Sequence, residues 1–443
     1  MNSSIPESSS PGGTPATLGE WLSLLEYRHH TAIDLGLDRC RAVWRRMASP
    51  CPAERIFVVA GTNGKGSTVA TICGLLKGLG YRFGSYTTPH IHDYNERVQV
   101  MGCNARDEAL IESFHRVEAA LGDVSLSYFE FGTLAAFDLL SRQSLEFAVM
   151  EVGLGGRLDA VNLLDADCTV ITPIGLDHQE YLGSDREQIG REKAGIIRRQ
   201  VPLVLGDRDP PRSVLETAEL NEAPVSLIGR DFEAGPCNGH ARFRVGDTQL
   251  ELPLPTLRGA HQFDNAATGL AAVLALLPEA MGRQADLAAG IESVDLHGRF
   301  ERVRQDPEVW IDVGHNPLGA RVIANALENR GGGRGRRIRC VLAMLADKDA
   351  ESVVAELDHV VSEWYCAGLE GDRGQTGERL ALRVGSVVQP GSVQQFVRVQ
   401  EALHQALADS DPADGVLVFG SFHTADEADH EMINSAGGNG AGD

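Results

Sequence analysis

The sequence predicts an α/β protein: a P-loop-containing, mostly parallel sheet domain followed by a smaller, Rossmann-like α/β domain. Three observations predict it. Ile56-Phe57-Val58-Val59-Ala60 is an apolar, β-rich run that leads into Gly61-Thr62-Asn63-Gly64-Lys65-Gly66-Ser67-Thr68 and then into helically spaced apolar residues over 69–76. Strand-type and helix-type runs alternate downstream, the pattern of parallel strands joined by right-handed crossovers. The alternation restarts after Gly298-Arg299-Phe300, which divides a chain of 443 residues, too long for one core.

The elements follow in order. Residues 1–16 are rich in Ser, Pro and Gly and read as a disordered tail, ahead of a P-loop domain over 17–298. Thr17 caps an amphipathic helix with Glu20 three residues on, and a second helix ends near Arg46. Strands are expected at 83–90, 147–152 and 168–172, and helices at 107–121 and 133–141. The alternation of polar and apolar residues over 240–252 suggests an appended β-hairpin, and 261–277 is an Ala- and Leu-rich helix. The second domain, 299–430, carries strands at 309–313, 338–342, 364–367 and 416–419 and helices at 318–329, 350–361 and 397–408. The basic run Gly331-Gly332-Gly333-Arg334-Gly335-Arg336-Arg337 reads as a solvated loop, and 431–443 as a second disordered tail.

Composition excludes some function classes. A net charge of −22 repels polyanions, so neither nucleic acid nor an anionic membrane is an expected partner. The 8 cysteines include no C-x-x-C pair, which favours reduced thiols and a cytoplasmic location over disulfides or a zinc site. No apolar run reaches 18 residues, so no membrane span is expected.

The glycine turn is where chemistry starts. Backbone N–H groups at a helix N-terminus face an anion, and Lys65 adds a point charge for terminal phosphates. Gly66 stands where ordinary GTPases and transport ATPases have Ser or Thr directly after the lysine, which argues against those classes. Ligands of parallel sheets sit at the carboxyl ends of strands. Thr88, Glu151 and His178 all fall there, a hydroxyl, a carboxylate and an imidazole suited to Mg²⁺ on ATP. A paired buried acid and a core histidine are the plain alternatives.

Gly61 to Ser67, the stretch from Glu151 to Asp159, Asp177-His178, Glu192-Lys193-Ala194-Gly195-Ile196, His261-Gln262-Phe263-Asp264-Asn265 and Asp312-Val313-Gly314-His315-Asn316-Pro317 together resemble the Mur ligase superfamily, and within it the folylpolyglutamate synthases. The resemblance runs from Trp21 to Thr424. Ser127-Tyr128-Phe129-Glu130-Phe131-Gly132-Thr133, Trp364-Tyr365-Cys366-Ala367 and Gly420-Ser421-Phe422-His423-Thr424 look most like the bacterial bifunctional branch, which acts on dihydropteroate and on tetrahydrofolate.

The resemblance implies a Mur-type central domain and a role for each matching residue. Thr62, Asn63, Gly64 and Lys65 would hold the ATP phosphates, and Thr88, Glu151 and His178 would ligate Mg²⁺, with threonine where relatives often carry serine. Lys193 matches a lysine that is carbamylated in the superfamily, where it could bind a second Mg²⁺; a plain helical lysine paired with Glu192 or Glu187 is its alternative. Asn265, Arg299 and Asp312 match contacts to base, phosphate and ribose. His297 replaces the usual proline before the Gly-Arg pair. Asp34, Leu35, Gly36, Ser127, Tyr128, Phe129, Glu130, Leu158, Asp159 and Ala160 match the dihydropteroate side, while His315, Ser421 and His423 match the L-glutamate side. Lys65, His178, Lys193 and Arg299 are the expected catalytic group of a monomeric ATP-dependent amide ligase with an acyl-phosphate intermediate. A monofunctional folylpolyglutamate synthase, a peptidoglycan Mur-type ligase and a nucleotide-binding switch without ligase activity are the competing readings.

Overall fold

The computed structural model describes residues 15–29, 34–328 and 337–437, so most of the expected N-terminal tail, the basic loop up to Arg336 and the last six residues lie outside the described part. Two sheets and a ribbon make up the fold. The first sheet has eight strands: β1 Arg55–Ala60, β2 Phe83–Tyr86, β3 Val98–Val100, β4 Cys103–Asn104, β5 Phe147–Glu151, β6 Cys168–Ile171, β7 Leu203–Leu205 and β8 Val225–Leu227. Their spatial order is β4-β3-β2-β5-β1-β6-β7-β8. All pairs are parallel except β2/β3 and β3/β4 at one edge.

Burial on both faces explains the apolar strands. Ile56, Val58 and Ala60 pack into one cluster with the helices Leu18–Arg28, Asp107–Leu121 and Tyr128–Ser141. Phe57 and Val59 point the opposite way, toward the helices Lys65–Gly78 and His261–Leu276. The appended hairpin is a three-stranded antiparallel ribbon, β9 Phe232–Cys237, β10 His240–Val245 and β11 Thr248–Leu252. The helix expected from 133 starts at Tyr128 instead, because Ser127 and Glu130 form a reciprocal capping box that holds the first turn.

The second sheet has the order β12-β13-β17-β14-β15-β16. Its strands are β12 Glu301–Gln305, β13 Glu308–Asp312, β14 Ile338–Leu342, β15 Glu363–Ala367, β16 Val393–Phe396 and β17 Gly415–Phe419. Only β12 runs antiparallel to its neighbour. Helix Phe422–Gly437 carries order past residue 430, where a tail was expected. Ser421 nucleates it by accepting a hydrogen bond from the Thr424 backbone N–H at 3.0 Å. No helix among the described residues is long and apolar enough to cross a membrane, and all eight cysteines are free.

Candidate active site

Register places the chemistry. Val59 of β1 pairs with Glu151 of β5, and Ala60 pairs with Ile171 of β6, so Gly61, Glu151 and Thr172 emerge together at the carboxyl edge of the first sheet. The turn after β1 then closes on its neighbours. The backbone N–H of Thr62 donates to the Pro173 carbonyl at 2.9 Å, and the Thr62 hydroxyl bridges the Gly175 N–H and C=O at 3.1 Å each. Glycine is required here for two reasons. A Cβ on Gly61 would lie 1.8 Å from Thr172 Oγ1, and Gly64 caps the following helix at φ 87°. Lys65 opens that helix, donating to the carbonyls of Gly61 and Thr62 at 3.2 Å each, with its amine 4.0 Å from Glu151.

The second sheet turns its own carboxyl edge toward this turn. Asp312 ends β13 and pairs in register with Phe419 of β17, so the turns leading to His315 and to the helix Phe422–Gly437 leave side by side. Between the lobes lies a cleft that opens to solvent. Thr62, Asn63, Gly64, Lys65, Thr88, Glu151, His178 and Lys193 line it from the first domain, joined by Asn265, Arg299, Asp312 and His315. Every residue expected at nucleotide or metal therefore reaches one cavity. The Arg299 guanidinium lies 5.2 Å from the ring centre of Phe422.

Burial sets the electrostatics. The Glu151 carboxyl is pushed above its usual range by burial, against the pull of Lys65 and Arg299. Burial lowers Arg299, with Asp312 and Glu151 opposing. Asp312 is raised by burial, and its oxygens accept from the backbone N–H groups of Phe300 at 2.8 Å and Gly314 at 2.7 Å. Lys193 is lowered to about 7 by burial and by Lys65, and its amine donates to the Gly61 carbonyl at 2.8 Å. The ion pairs of the plain-lysine alternative are not formed, since Glu192 pairs with Arg157 and Glu187 accepts from the backbone of Arg212 and Ser213.

His178 and Glu151 face different partners. His178 stands 3.8 Å from Asp177 and is lowered to about 4, chiefly by burial. Asp177, His178 and His315 could together hold a metal ion, whereas Glu151 is not in that group. Asp177 stands in one of the motifs, but sequence reasoning gave it no role. Its carboxylate accepts from Lys348 Nζ at 2.7 Å and Asn316 Nδ2 at 3.0 Å and lies 3.3 Å from His315 Nε2, all three from the second domain. Burial would raise this acid, but His315, His178 and Lys348 drive it far below the carboxylate range. Asn63 and Asn316 also pair across the cleft at 2.9 Å. The available signal was position: Lys348 follows β14 and Asp177 follows β6, both at carboxyl ends.

The pterin-side residues form a separate cluster. Arg39 bridges Asp34 at 2.9 Å and Glu130 at 2.8 Å, which brings Asp34, Leu35 and Gly36 beside the start of helix Tyr128–Ser141. The Phe129 ring covers Gly153 so closely that a Cβ there would sit 2.6 Å from it, and the Asp159 carboxylate lies next to the same point at 3.4 Å. Asp159 is buried and raised to about 6. Its oxygens already accept from the backbone N–H groups of Leu154 at 2.8 Å and Val161 at 2.9 Å, so it shapes the loop that also presents Leu158 and Ala160. Tyr128 lies under the Arg97 guanidinium at 5.6 Å. Ser421 is likewise turned inward, its hydroxyl 2.6 Å from Thr424 Oγ1. His423 is exposed, and neither it nor Ser421 lines the cleft.

A phosphate-cradling sheet and a second α/β lobe that close on one cleft define a two-lobed nucleotide-dependent ligase. Family models agree: the Mur ligase middle domain matches 59–273, and the Mur ligase glutamate ligase domain matches 298–422. The dihydrofolate synthase/folylpolyglutamate synthase of Escherichia coli K12 is 42% identical over 423 residues, spanning 95% of each chain. The structure of E. coli FolC in complex with DHPP and ADP superposes with a TM-score of 0.88 at 40% identity, covering 96% of this chain and all of that one. A bifunctional folylpolyglutamate synthase/dihydrofolate synthase with Mn, AMPPNP and L-glutamate bound gives 0.84 at 39% identity, over 95% and 98% of the two chains. The chain belongs to the Mur ligase family, in its dihydrofolate synthase/folylpolyglutamate synthase branch, and is an ATP-dependent ligase.

Proposed function

We propose that the chain joins L-glutamate to dihydropteroate, giving dihydrofolate, and also to tetrahydrofolate, extending its glutamate tail. The observation that carries the reading is the single cleft to which Lys65, Glu151, Arg299 and Asp312 all turn, with the Asp34–Arg39–Glu130 and Phe129–Gly153 cluster at the far end of the 151–160 loop. The retained pterin-side segments favour this substrate class over a muramyl acceptor.

In this reading the acceptor carboxylate attacks the γ-phosphorus of ATP, forming the acyl phosphate as ADP leaves. Lys65 and Arg299 offset charge on the transferring oxygens. The glutamate amine then attacks the acyl carbon, loses its proton, and phosphate departs. Closure of the two lobes keeps water from the mixed anhydride.

Thr88 and Glu151, which meet through the Thr88 backbone, would supply the oxygen donors a hard divalent ion takes, and the neutral His178 imidazole lines the same cleft, although it groups more closely with Asp177 and His315. Mg²⁺ held there would neutralise the phosphate oxygens. Lys193, with an amine near neutrality at pH 7, suits reaction with CO₂, and the resulting carbamate would supply an anionic ligand for a second ion. One chain furnishes both walls of the cleft, which supports action as a monomer.

Phosphate release from ATP and glutamate, run in parallel with dihydropteroate and tetrahydrofolate, tests the assignment. Both acceptors should stimulate release, and Lys65→Ala should abolish it by about 10³-fold or more. Stimulation by neither acceptor refutes the proposal.

A further inference from the structure

A second constellation lies on the outer seam between the lobes, away from the cleft lining. His92 comes from the P-loop domain, on the loop between β2 and β3. Asp426 and His430 come from the C-terminal helix, four residues apart and hence on one face. His92 Nδ1 is 2.7 Å from Asp426 Oδ1, and His430 Nε2 is 3.3 Å from the same oxygen. Ligand atoms at about 2.0–2.1 Å from a tetrahedral ion stand about 3.3 Å from one another, which the His430–Asp426 separation matches, while the His92–Asp426 hydrogen bond would open slightly to admit an ion.

The surroundings are built for ligation. Glu96 accepts from the backbone N–H groups of Ile91, His92 and Asp93 at 2.8, 2.9 and 2.9 Å, which holds the His92 loop in place. Asp429 Oδ2 lies 3.5 Å from His92 Nε2, the nitrogen left over when Nδ1 faces the ion. A carboxylate behind a ligating imidazole fixes its tautomer and raises its basicity. Glu301, at the start of β12 and beside His297, adds further negative potential.

We propose that His92, Asp426 and His430 bind a borderline divalent transition metal such as Zn²⁺, which staples the P-loop domain to the C-terminal helix. Two imidazoles among three ligands favour such an ion over Mg²⁺, which takes mainly oxygen ligands. The fourth position is left to water. The staple acts on the reaction cleft through two short routes: His92 is four residues past Thr88, and the stapled helix begins at Phe422, whose ring covers Arg299.

Metal-stripped full-length protein is titrated with Zn²⁺ in excess Mg²⁺ by calorimetry, with Co²⁺ absorption as a second readout. Wild type and Glu151→Gln should both take up the ion at this site. His430→Ala, which removes an exposed side chain (65% accessible) and leaves the fold intact, should weaken it by about 100-fold, as should His92→Ala. Loss in both variants, one from each lobe, establishes the bridge, and Zn²⁺ should raise the unfolding temperature only of proteins that keep both histidines. Equal affinity in His430→Ala or His92→Ala overturns the site. No Zn²⁺ uptake by wild type in excess Mg²⁺ also overturns it and leaves a simple His–Asp ion pair.

Discussion

Asp177→Asn tests how the two lobes are held in register. The Asp177 and Lys348 side chains are 7–9% exposed and 2.7 Å apart, although they lie 171 residues apart in sequence. Removing one partner of a buried ion pair costs about 3–5 kcal/mol, because the other charge is left without compensation. Asparagine keeps the shape and one carbonyl acceptor, which places the expected loss at the low end, about 3 kcal/mol. The pair forms only when the lobes meet, so the loss falls on the closed state and should lower kcat/KM by about 100-fold. Phosphate-release kinetics read that change, and denaturant unfolding checks that the P-loop domain itself remains folded. Lys348→Met combined with Asp177→Asn should recover part of the loss, since no charge is then stranded. A kcat/KM within threefold of wild type, or strictly additive effects in the double variant, refutes the bracket.

Three further outcomes follow from the cleft. In CO₂-free buffer, Lys193 is protonated up to about pH 10.4 when unfolded but only to about 7 in the fold, so the unfolded chain binds more protons between those values. Stability should therefore rise from pH 7 to 9, by about 2 kcal/mol, and Lys193→Met should abolish the rise; a wild-type curve flat over that window contradicts the buried free amine. Bicarbonate should in turn raise wild-type activity and leave Lys193→Met unaffected. Gly61→Ala should disrupt the cradle, because its Cβ would fall 1.8 Å from Thr172 Oγ1. Unfolding within about 0.5 kcal/mol of wild type together with normal nucleotide binding would show that the turn has more room than its contacts imply.

Local pattern was enough wherever one short segment carries both the element and its chemistry. β1, its glycine turn and the helix Lys65–Gly78 were legible because apolar run, turn residues and helical spacing adjoin in sequence. Thr88, Glu151 and His178 were reachable by looking for polar residues where strands end, whereas Asp312 came from the family resemblance. The start of helix Tyr128–Ser141 was misplaced because the reciprocal cap of Ser127 and Glu130 was not read, although the same two residues were matched to the substrate side. Asp159 and Ser421 behave alike: each side chain is engaged by nearby backbone N–H groups, a demand that periodicity does not reveal.

What the sequence determined by itself was a phosphate-binding sheet, a second α/β lobe and a set of charged residues at strand ends. Only the tertiary structure decided which of those charges meet. Asp177 finds Lys348, Asn63 finds Asn316, and His92 finds Asp426 because two sheets present their carboxyl edges to a shared seam. Such contacts join residues 171 to 334 positions apart, far beyond the turn-to-turn spacing that a linear pattern encodes. Their energies also depend on burial that neither lobe provides alone.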